Sequence, residues 1–316
     1  MRHEDRVFAA LGSRRMAARD RIAASWQRSA ARYGLDPGAD APQHVASARE
    51  LHTRREASER LLRIAGSKLD QLFGLVGSSG CAVVLTDGDG VILDTRQRDA
   101  DAAAFSAWGL LPGADWSEAR EGTNGIGTCL EEARSVVIHR DQHFFARNTA
   151  MSCIDTPIYG ADGAIVGALD VSSARADQTQ AINGLIAAQV AQTARRIEAD
   201  NFRAAFPDAR IAFAGAAEAD KNALVAINQD DVIVGATRAA RQMFGLGAHG
   251  PLEPMAATDL FARSDDLGPL ERAEKAALVK ALTRARGNAT AAARALGIGR
   301  ATLYRRMGRL GLDRRG

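Results

Sequence analysis

The sequence predicts an α+β fold followed by a separate all-α unit, and three observations carry that reading. Three β-rich stretches double back around short polar turns. These are 81–86 with 91–93 about Asp87-Gly88-Asp89-Gly90, 154–159 with 164–169 about Asp162-Gly163, and 224–227 with 232–234 about Asn228 to Asp231. Apolar runs of this length interrupted by Asp-Gly or Asn-x turns are hairpin signals. Helical patterns separate the hairpins, and hairpins flanked by helices build antiparallel sheets covered by helices. The uneven spacing of the hairpins excludes a solenoid or propeller. Charge is also segregated: residues 268–316 hold 12 Lys+Arg against 3 Asp+Glu, a net of +9, while the whole chain is +3, which leaves −6 for residues 1–267.

In order along the chain, residues 1–65 are Arg/Ala-rich and poor in strand formers, so an N-terminal helical segment is expected to cover its neighbour. Within it, Ser25-Trp26-Gln27-Arg28-Ser29 precedes Tyr33-Gly34-Leu35-Asp36-Pro37, where Gly and Pro stop the helix. A helix around 57–76 leads into the first hairpin. Residues 66–203 form the first mixed domain. Between its two hairpins lie Gly122-Thr123-Asn124-Gly125-Ile126-Gly127 and a strand from Ser135 to His139. The glycine-rich stretch invites a phosphate-loop reading, but no Gly-Lys-[Ser/Thr] follows it, so its glycines are read as shaping a turn into a helix. Gln178 to Phe202 returns to helix, with Ile182, Leu185, Ile186, Val190 and Ile197 broadly on one side. This helix either packs on the sheet or also serves as a connector that pairs with a second subunit. Pro207 ends it. Residues 208–262 hold the third hairpin and a helix at 237–246. Gly250, Pro251, Pro254 and the polar run from Arg263 to Pro269 read as a linker.

The tail, 268–316, is the most informative stretch. Leu270, Ala273, Ala277, Leu278, Ala281 and Leu282 form one stripe that so small a unit cannot bury alone, so a partner copy is expected. After Gly287, Asn288 is a good cap for an alanine-rich helix that Gly297 ends in the left-handed conformation. A second helix starts near Arg300, with Leu303, Met307 and Leu310 facing inward. Two short helices joined by a glycine turn, the second one basic, fit a DNA major groove. Arg300, Thr302 and Arg305 are the candidates for base-edge contacts, Tyr304, Arg306 and Arg309 for phosphate, with Ala301 at the same exposed end. A basic tail on an otherwise acidic protein is an electrostatic footprint for double-stranded DNA.

The bulk numbers suit this. A length of 316 residues allows two domains or three small ones, and 46% hydrophobic with 25% charged residues is ordinary for a globular protein. No apolar run approaches the roughly 18–20 residues of a membrane span. The Arg-bearing N-terminus lacks the apolar stretch of a secretory signal. Cys81, Cys129 and Cys153 are widely spaced and make neither a disulfide framework nor a metal motif. A cytoplasmic location, with no membrane partner, is expected.

Several motifs resemble known families. Residues 270–282, Gly287-Asn288 and Leu296-Gly-Ile-Gly-Arg-Ala-Thr-Leu-Tyr-Arg-Arg306 look like a Fis-type helix-turn-helix, departing at Gly299, where that family usually has Ser. The resemblance implies a homodimer whose last helices enter successive major grooves. The glycine stretch through Thr128, Gln142-His143-Phe144, Cys153-Ile-Asp-Thr-Pro-Ile158 and Gly167-Ala-Leu-Asp-Val171 resemble the GAF sensor domain of acetoin-catabolism-type transcription activators. Ser-Trp-x-Arg-Ser and Gly34-Leu-Asp-Pro37 resemble the start of the same group. Residues 208–262 resemble the front half of a PAS domain, truncated. Complete members of the group carry an ATPase that opens promoters held by the sigma-54 polymerase. No Gly-Lys-[Ser/Thr] occurs in this sequence, so action by occupancy, by touching RNA polymerase or through a partner is implied.

The candidate ligand-site residues for a small-molecule effector are Trp116, Asn124, Thr128, His139, His143, Phe144, Cys153 and Asp155. His139 and His143 stand four apart, as metal ligands on a helix can, but Ser135 to His139 reads as a strand, so they share no helical face. They are read as pocket-wall or structural histidines rather than a metal or redox site with Cys129 or Cys153. Trp108, Trp116, Phe144 and Phe145 are equally pocket or core. No cofactor, metal or catalytic residue is expected. The main reading is therefore a ligand-responsive, homodimeric DNA-binding regulator. Two alternatives are a partner that forms mixed dimers with a complete activator and dampens it, and a cysteine-dependent sulfoxide reductase, which would need a low-pKa thiolate near a second thiol.

Overall fold

The computed structural model describes residues 2–39, 42–173, 175, 180–214, 222–262, 269–285, 288–310 and 312. The expected linker residues 263–268, together with Gln178 and Gly287, lie outside them.

The amino-terminal segment is helical: α1 (His3–Leu11), α2 (Arg14–Ala17), α3 (Arg21–Tyr33), α4 (Ala48–Ala57) and α5 (Glu59–Val76). Asp20 starts α3 by accepting from the Ile22 N–H at 2.8 Å. Gly34 ends it at φ 68°, the left-handed conformation that glycine adopts without a Cβ penalty.

The central unit follows as β1 (Cys81–Thr86), β2 (Ile92–Arg96), α6 (Ala102–Ala107), α7 (Glu118–Glu121), α8 (Gly125–Glu132), β3 (Val136–His139), β4 (Ser152–Tyr159), β5 (Ile165–Ser173) and α9 (Gln180–Ala205). Its sheet has the order β2-β1-β5-β4-β3 and is antiparallel throughout. Strand side chains alternate between faces. Val83, Leu85, Ile154, Ile158, Leu169 and Val171 therefore meet α5 and α9, and Ala82, Val84 and Cys153 meet the segment carrying α6 to α8. Leu69 of α5 and Val190 of α9 are fully buried in the first core, each burial favouring the fold by about 1.5–3 kcal/mol. Of the stripe expected on α9, Ile186, Val190 and Ile197 reach this core. Leu185 does not and is 72% exposed, because neighbouring helical residues point about 100° apart. Ile182, near the helix start, is also exposed.

A third unit is an antiparallel meander in chain order, β6 (Arg210–Phe213), β7 (Leu224–Ile227), β8 (Val232–Ala236) and β9 (Met255–Ala256), with α10 (Arg238–Phe244) and α11 (Ala257–Ala262). The buried Arg241 guanidinium donates to the carbonyls of Ala236, Gly247 and Gly250, pinning the loop after α10. The unit meets the β4–β5 turn, where the Gly250 N–H donates to the Asp162 carbonyl at 3.0 Å.

The tail folds as α12 (Pro269–Arg284), α13 (Ala289–Ala295) and α14 (Arg300–Arg309) around Leu278, Ala281, Ala292, Ala293, Leu303, Met307 and Leu310. The Asn288 side chain accepts from the Thr290 and Ala291 N–H groups at 3.0 and 3.1 Å. At the other end of α13 the Ile298 N–H bonds the Ala293 carbonyl, the Gly297 N–H bonds the Arg294 carbonyl, and Gly297 sits at φ 66°. That is a Schellman closure. Asn288→Ala removes the cap and is expected to cost about 1 kcal/mol, read as a lower melting midpoint for this unit by circular dichroism. An unchanged midpoint would show that water caps α13 as well. Leu270, Ala273 and Ala277 of the expected stripe are exposed on α12, Leu270 at 83%. Among the described residues, no helix is long and apolar enough to cross a membrane.

Candidate functional site

The glycine-rich stretch enters α8 as a wedge. Asn124 caps the helix with its side-chain oxygen on the Gly127 N–H at 2.8 Å, and its amide donates to the carbonyls of Trp116 (3.0 Å) and Gly122 (2.8 Å). Its polar capacity is thus used within its own loop. The first turn of α8 is pressed between residues 116–118 and β4. A Cβ on Gly125 would stand 2.5 Å from the Cys153 Cβ and 2.0 Å from Asp155 Oδ2.

Behind that turn lies a fully buried pair of carboxyl groups, Asp155 on β4 and Asp170 on β5, opposite one another in the strand register. Asp170 Oδ2 accepts from the Ser172 hydroxyl at 2.8 Å. Apart from one another, both oxygens of Asp155 and Oδ1 of Asp170 have no hydrogen-bond partner among the described residues. Burial is the main cause that pushes both groups upward, Asp170 to about 7, and the charge of Asp170 pushes Asp155 further. The pair therefore retains a proton near neutral pH.

Cys153 and His143 complete the cluster. The His143 Nδ1–H donates to the Arg140 carbonyl at 2.8 Å, leaving Nε2 as an acceptor 3.5 Å from the Cys153 Sγ. Complete burial lowers His143 to about 4, so the ring is neutral. Burial also raises the Cys129 and Cys153 thiols, the opposite of what a thiolate nucleophile requires. His139 turns elsewhere, its Nδ1 lying 2.8 Å from the Ser152 hydroxyl. Among the described residues, no group of three or more His, Cys, Asp or Glu side chains is arranged to hold a metal.

The remaining candidates are packing residues around this cluster. Trp116 is buried with Ala82, Val84 and Phe105, its indole N–H donating to the Gly109 carbonyl at 3.0 Å. Phe144 is buried edge-on against Phe145, with Val7, Ala10, Ala23 and Trp26 from α1 and α3. Thr128 is buried 3.4 Å from the Ser25 hydroxyl. The structure therefore brings His143, Cys153 and Asp155 together beneath the turn that Asn124 caps. Trp116, Thr128 and Phe144 stand around it, and His139 sits at the end of β3.

The residues that sequence reasoning missed are Asp170, Ser172, Glu118, Ser25 and Arg28. Glu118, 3% exposed, accepts from the Ser25 hydroxyl and from Arg28 at 2.8 and 2.9 Å. The Trp26 indole N–H donates to the Gln142 carbonyl at 2.9 Å. The Ser-Trp-x-Arg-Ser motif is thus the dock by which α3 closes over the loop leading into α8. A signal for Asp170 was present: it and Asp155 each stand seven residues from the Asp162-Gly163 turn, which makes them hairpin partners.

On α14 and its cap, Leu303, Met307 and the capping Leu310 point inward, leaving Arg300, Ala301, Tyr304, Arg305 and Arg309 exposed and Thr302 and Arg306 half-buried. The Arg300 guanidinium lies 5.6 Å from the centre of the Tyr304 ring. Arg306 and Arg309 both pair with Glu274 of α12.

The GAF domain family matches residues 60–194, and the family described as bacterial regulatory protein, Fis family, matches residues 269–315. Over 178 residues the chain is 33% identical to the acetoin catabolism regulatory protein of Cupriavidus necator, covering 56% of this chain and 27% of that one. It is 28% identical over 178 residues to the acetoin dehydrogenase operon transcriptional activator AcoR of Bacillus subtilis, covering 56% and 29%. The chain thus spans little more than a quarter of the length of these curated relatives. A crystal structure of the E. coli DhaR(N)-DhaL complex aligns with a TM-score of 0.53 at 17% identity, over 75% of this chain and 80% of that one, a likeness of fold.

Proposed function

We propose that this chain, a GAF domain joined to a Fis-family helix-turn-helix, is a homodimeric transcription regulator that binds duplex DNA through α14 and responds to a small effector. The observation that carries the reading is the exposed face of Arg300, Tyr304 and Arg305 on a unit of net charge +9 attached to an acidic remainder. The exposed Leu270, Ala273 and Ala277 on α12 supply the seam for a second copy. The effector is assigned to the residues around Asp155, Cys153 and His143; this cluster is buried under the first turn of α8, so an effector reaches it only when α8 shifts. Acetoin, named for the relatives, is the first compound to try. An effector shifts the protein only by its different affinity for two states. Those states would differ in how α3 and α9 pack on the sheet. With no Gly-Lys-[Ser/Thr] in the sequence, the output is occupancy of DNA or contact with RNA polymerase rather than ATP-driven promoter opening.

The test is fluorescence anisotropy on duplexes recovered from genomic DNA by binding to the full chain, with and without acetoin. Arg305→Ala is expected to weaken specific binding by about 1–3 kcal/mol and to relax sequence preference. Identical isotherms for the two proteins would remove Arg305 from the contact surface. The same exposed seam favours one second reading, a mixed dimer with a longer relative. In that case the purified chain alone would occupy promoters poorly and would co-purify with that relative.

A further inference from the structure

The four arginines of α14 are not equivalent. Arg305 is exposed and has no partner among the described residues, and Arg300 lies over the Tyr304 ring. Arg306 and Arg309 turn back to one carboxylate. Arg306 Nη1 is 3.1 Å from Glu274 Oε1, and Arg309 Nη2 donates to Glu274 Oε2. The Glu274 side chain is only 18% exposed between them, whereas the arginines keep 42% and 56%. A single negative charge from α12 is thus enclosed by half of the cations of the recognition helix.

Resting on the reading of α14 as the DNA-contacting helix, we propose that Glu274 is an internal competitor of the DNA backbone, holding Arg306 and Arg309 so that they lend little affinity to sequence-independent binding. A carboxylate and a phosphate present the same kind of oxygen pair to a guanidinium, and one set of N–H donors serves only one of them at a time. The competitor is on the same chain, so dilution does not remove it. A phosphate that displaces it still meets a carboxylate well within the Debye length of roughly 10 Å. Sequence-independent affinity comes from cations that release condensed counterions, each adding about 0.9 to the slope of log K against log salt. Arginines already neutralised by Glu274 add much less. Glu274 therefore sets how much of the affinity is backbone attraction and how much is left to the exposed Arg300 and Arg305.

The experiment is binding of the full chain to a duplex of arbitrary sequence over a salt series. Glu274→Gln is expected to bind several-fold more tightly at low salt, with a slope steeper by about 1–2. Adding Arg309→Ala to Glu274→Gln should return the slope toward the starting value. In the unaltered background, Arg309→Ala should change the slope by much less than Arg305→Ala does. This comparison holds even if Glu274→Gln lowers the melting midpoint. A Glu274→Gln protein that binds equally or more weakly while folded, or equal slope losses for Arg305→Ala and Arg309→Ala, would show that Glu274 only braces α12 against α14. If the unaltered chain binds no duplex at low salt, the DNA reading itself fails. Equal slopes on a chain that does bind refute the competitor alone.

Discussion

Gly127→Ala is expected to destabilise the central unit by about 3 kcal/mol or more, at the upper end of overpacking. A Cβ there would stand 2.4 Å from the Glu118 backbone nitrogen and 2.8 Å from the Trp116 carbonyl oxygen. Both atoms are main chain, so no rotamer change relieves the clash. Either α8 backs away from the 116–118 loop, breaking the Asn124–Trp116 bond, or the loop opens and takes Glu118 from Ser25 and Arg28. The control is Gly66→Ala on α5, where none of the described residues lies within 4 Å of a new Cβ. There alanine should add up to about 1 kcal/mol through helix propensity. Denaturant unfolding of both variants gives the comparison, and equal midpoints would refute the wedge.

Asp155→Asn is expected to be more stable than the unaltered chain at pH 7, a difference that closes toward pH 4. Asp155 and Asp170 are both held above their unfolded values, so the folded chain binds protons that the unfolded chain has released. The stabilisation from that protonation is complete below about pH 4, where the unfolded carboxyls are also protonated. It is lost as pH rises, through about 7 for Asp170. An amide at 155 needs no proton and can donate to Asp170, so the variant escapes the loss. Glu198, also pushed up to about 7 by burial, acts in the same direction in both proteins, and the neutral His143 acts in the opposite direction. The difference between variant and parent isolates the pair. A gap that stays constant from pH 7 to pH 4.5, or an asparagine variant less stable at pH 7, would refute a shared buried proton.

What was legible in the sequence was local. Asn288, Gly297 and the polar turns of the hairpins act within a few residues of themselves, and the structure uses each at its expected place. Asp155 and Asp170 were readable only by measuring both from their shared turn. Ser25 and Glu118 lie 93 residues apart, and Glu274 and Arg309 lie 35 apart. Nothing in either local pattern names the other, since such pairs are set by how whole helices dock. For the same reason the aromatic residues Trp116 and Phe144 could be read as pocket or core. Their burial against α3 and the sheet follows from tertiary packing, which periodicity does not encode.

The docking of Trp26 on the Gln142 carbonyl gives the molecule a built-in optical reporter. All three indoles, Trp26, Trp108 and Trp116, fall in the first 116 residues, so light selective for indole leaves the meander and the basic tail dark. Trp108 and Trp116 report on the interior of the central unit, and Trp26 reports on the seam between α3 and that unit. A shift in emission on adding an effector would thus register a rearrangement within the first 116 residues, without any label and without interference from the basic tail, and its loss in Trp26→Phe would place it at that seam.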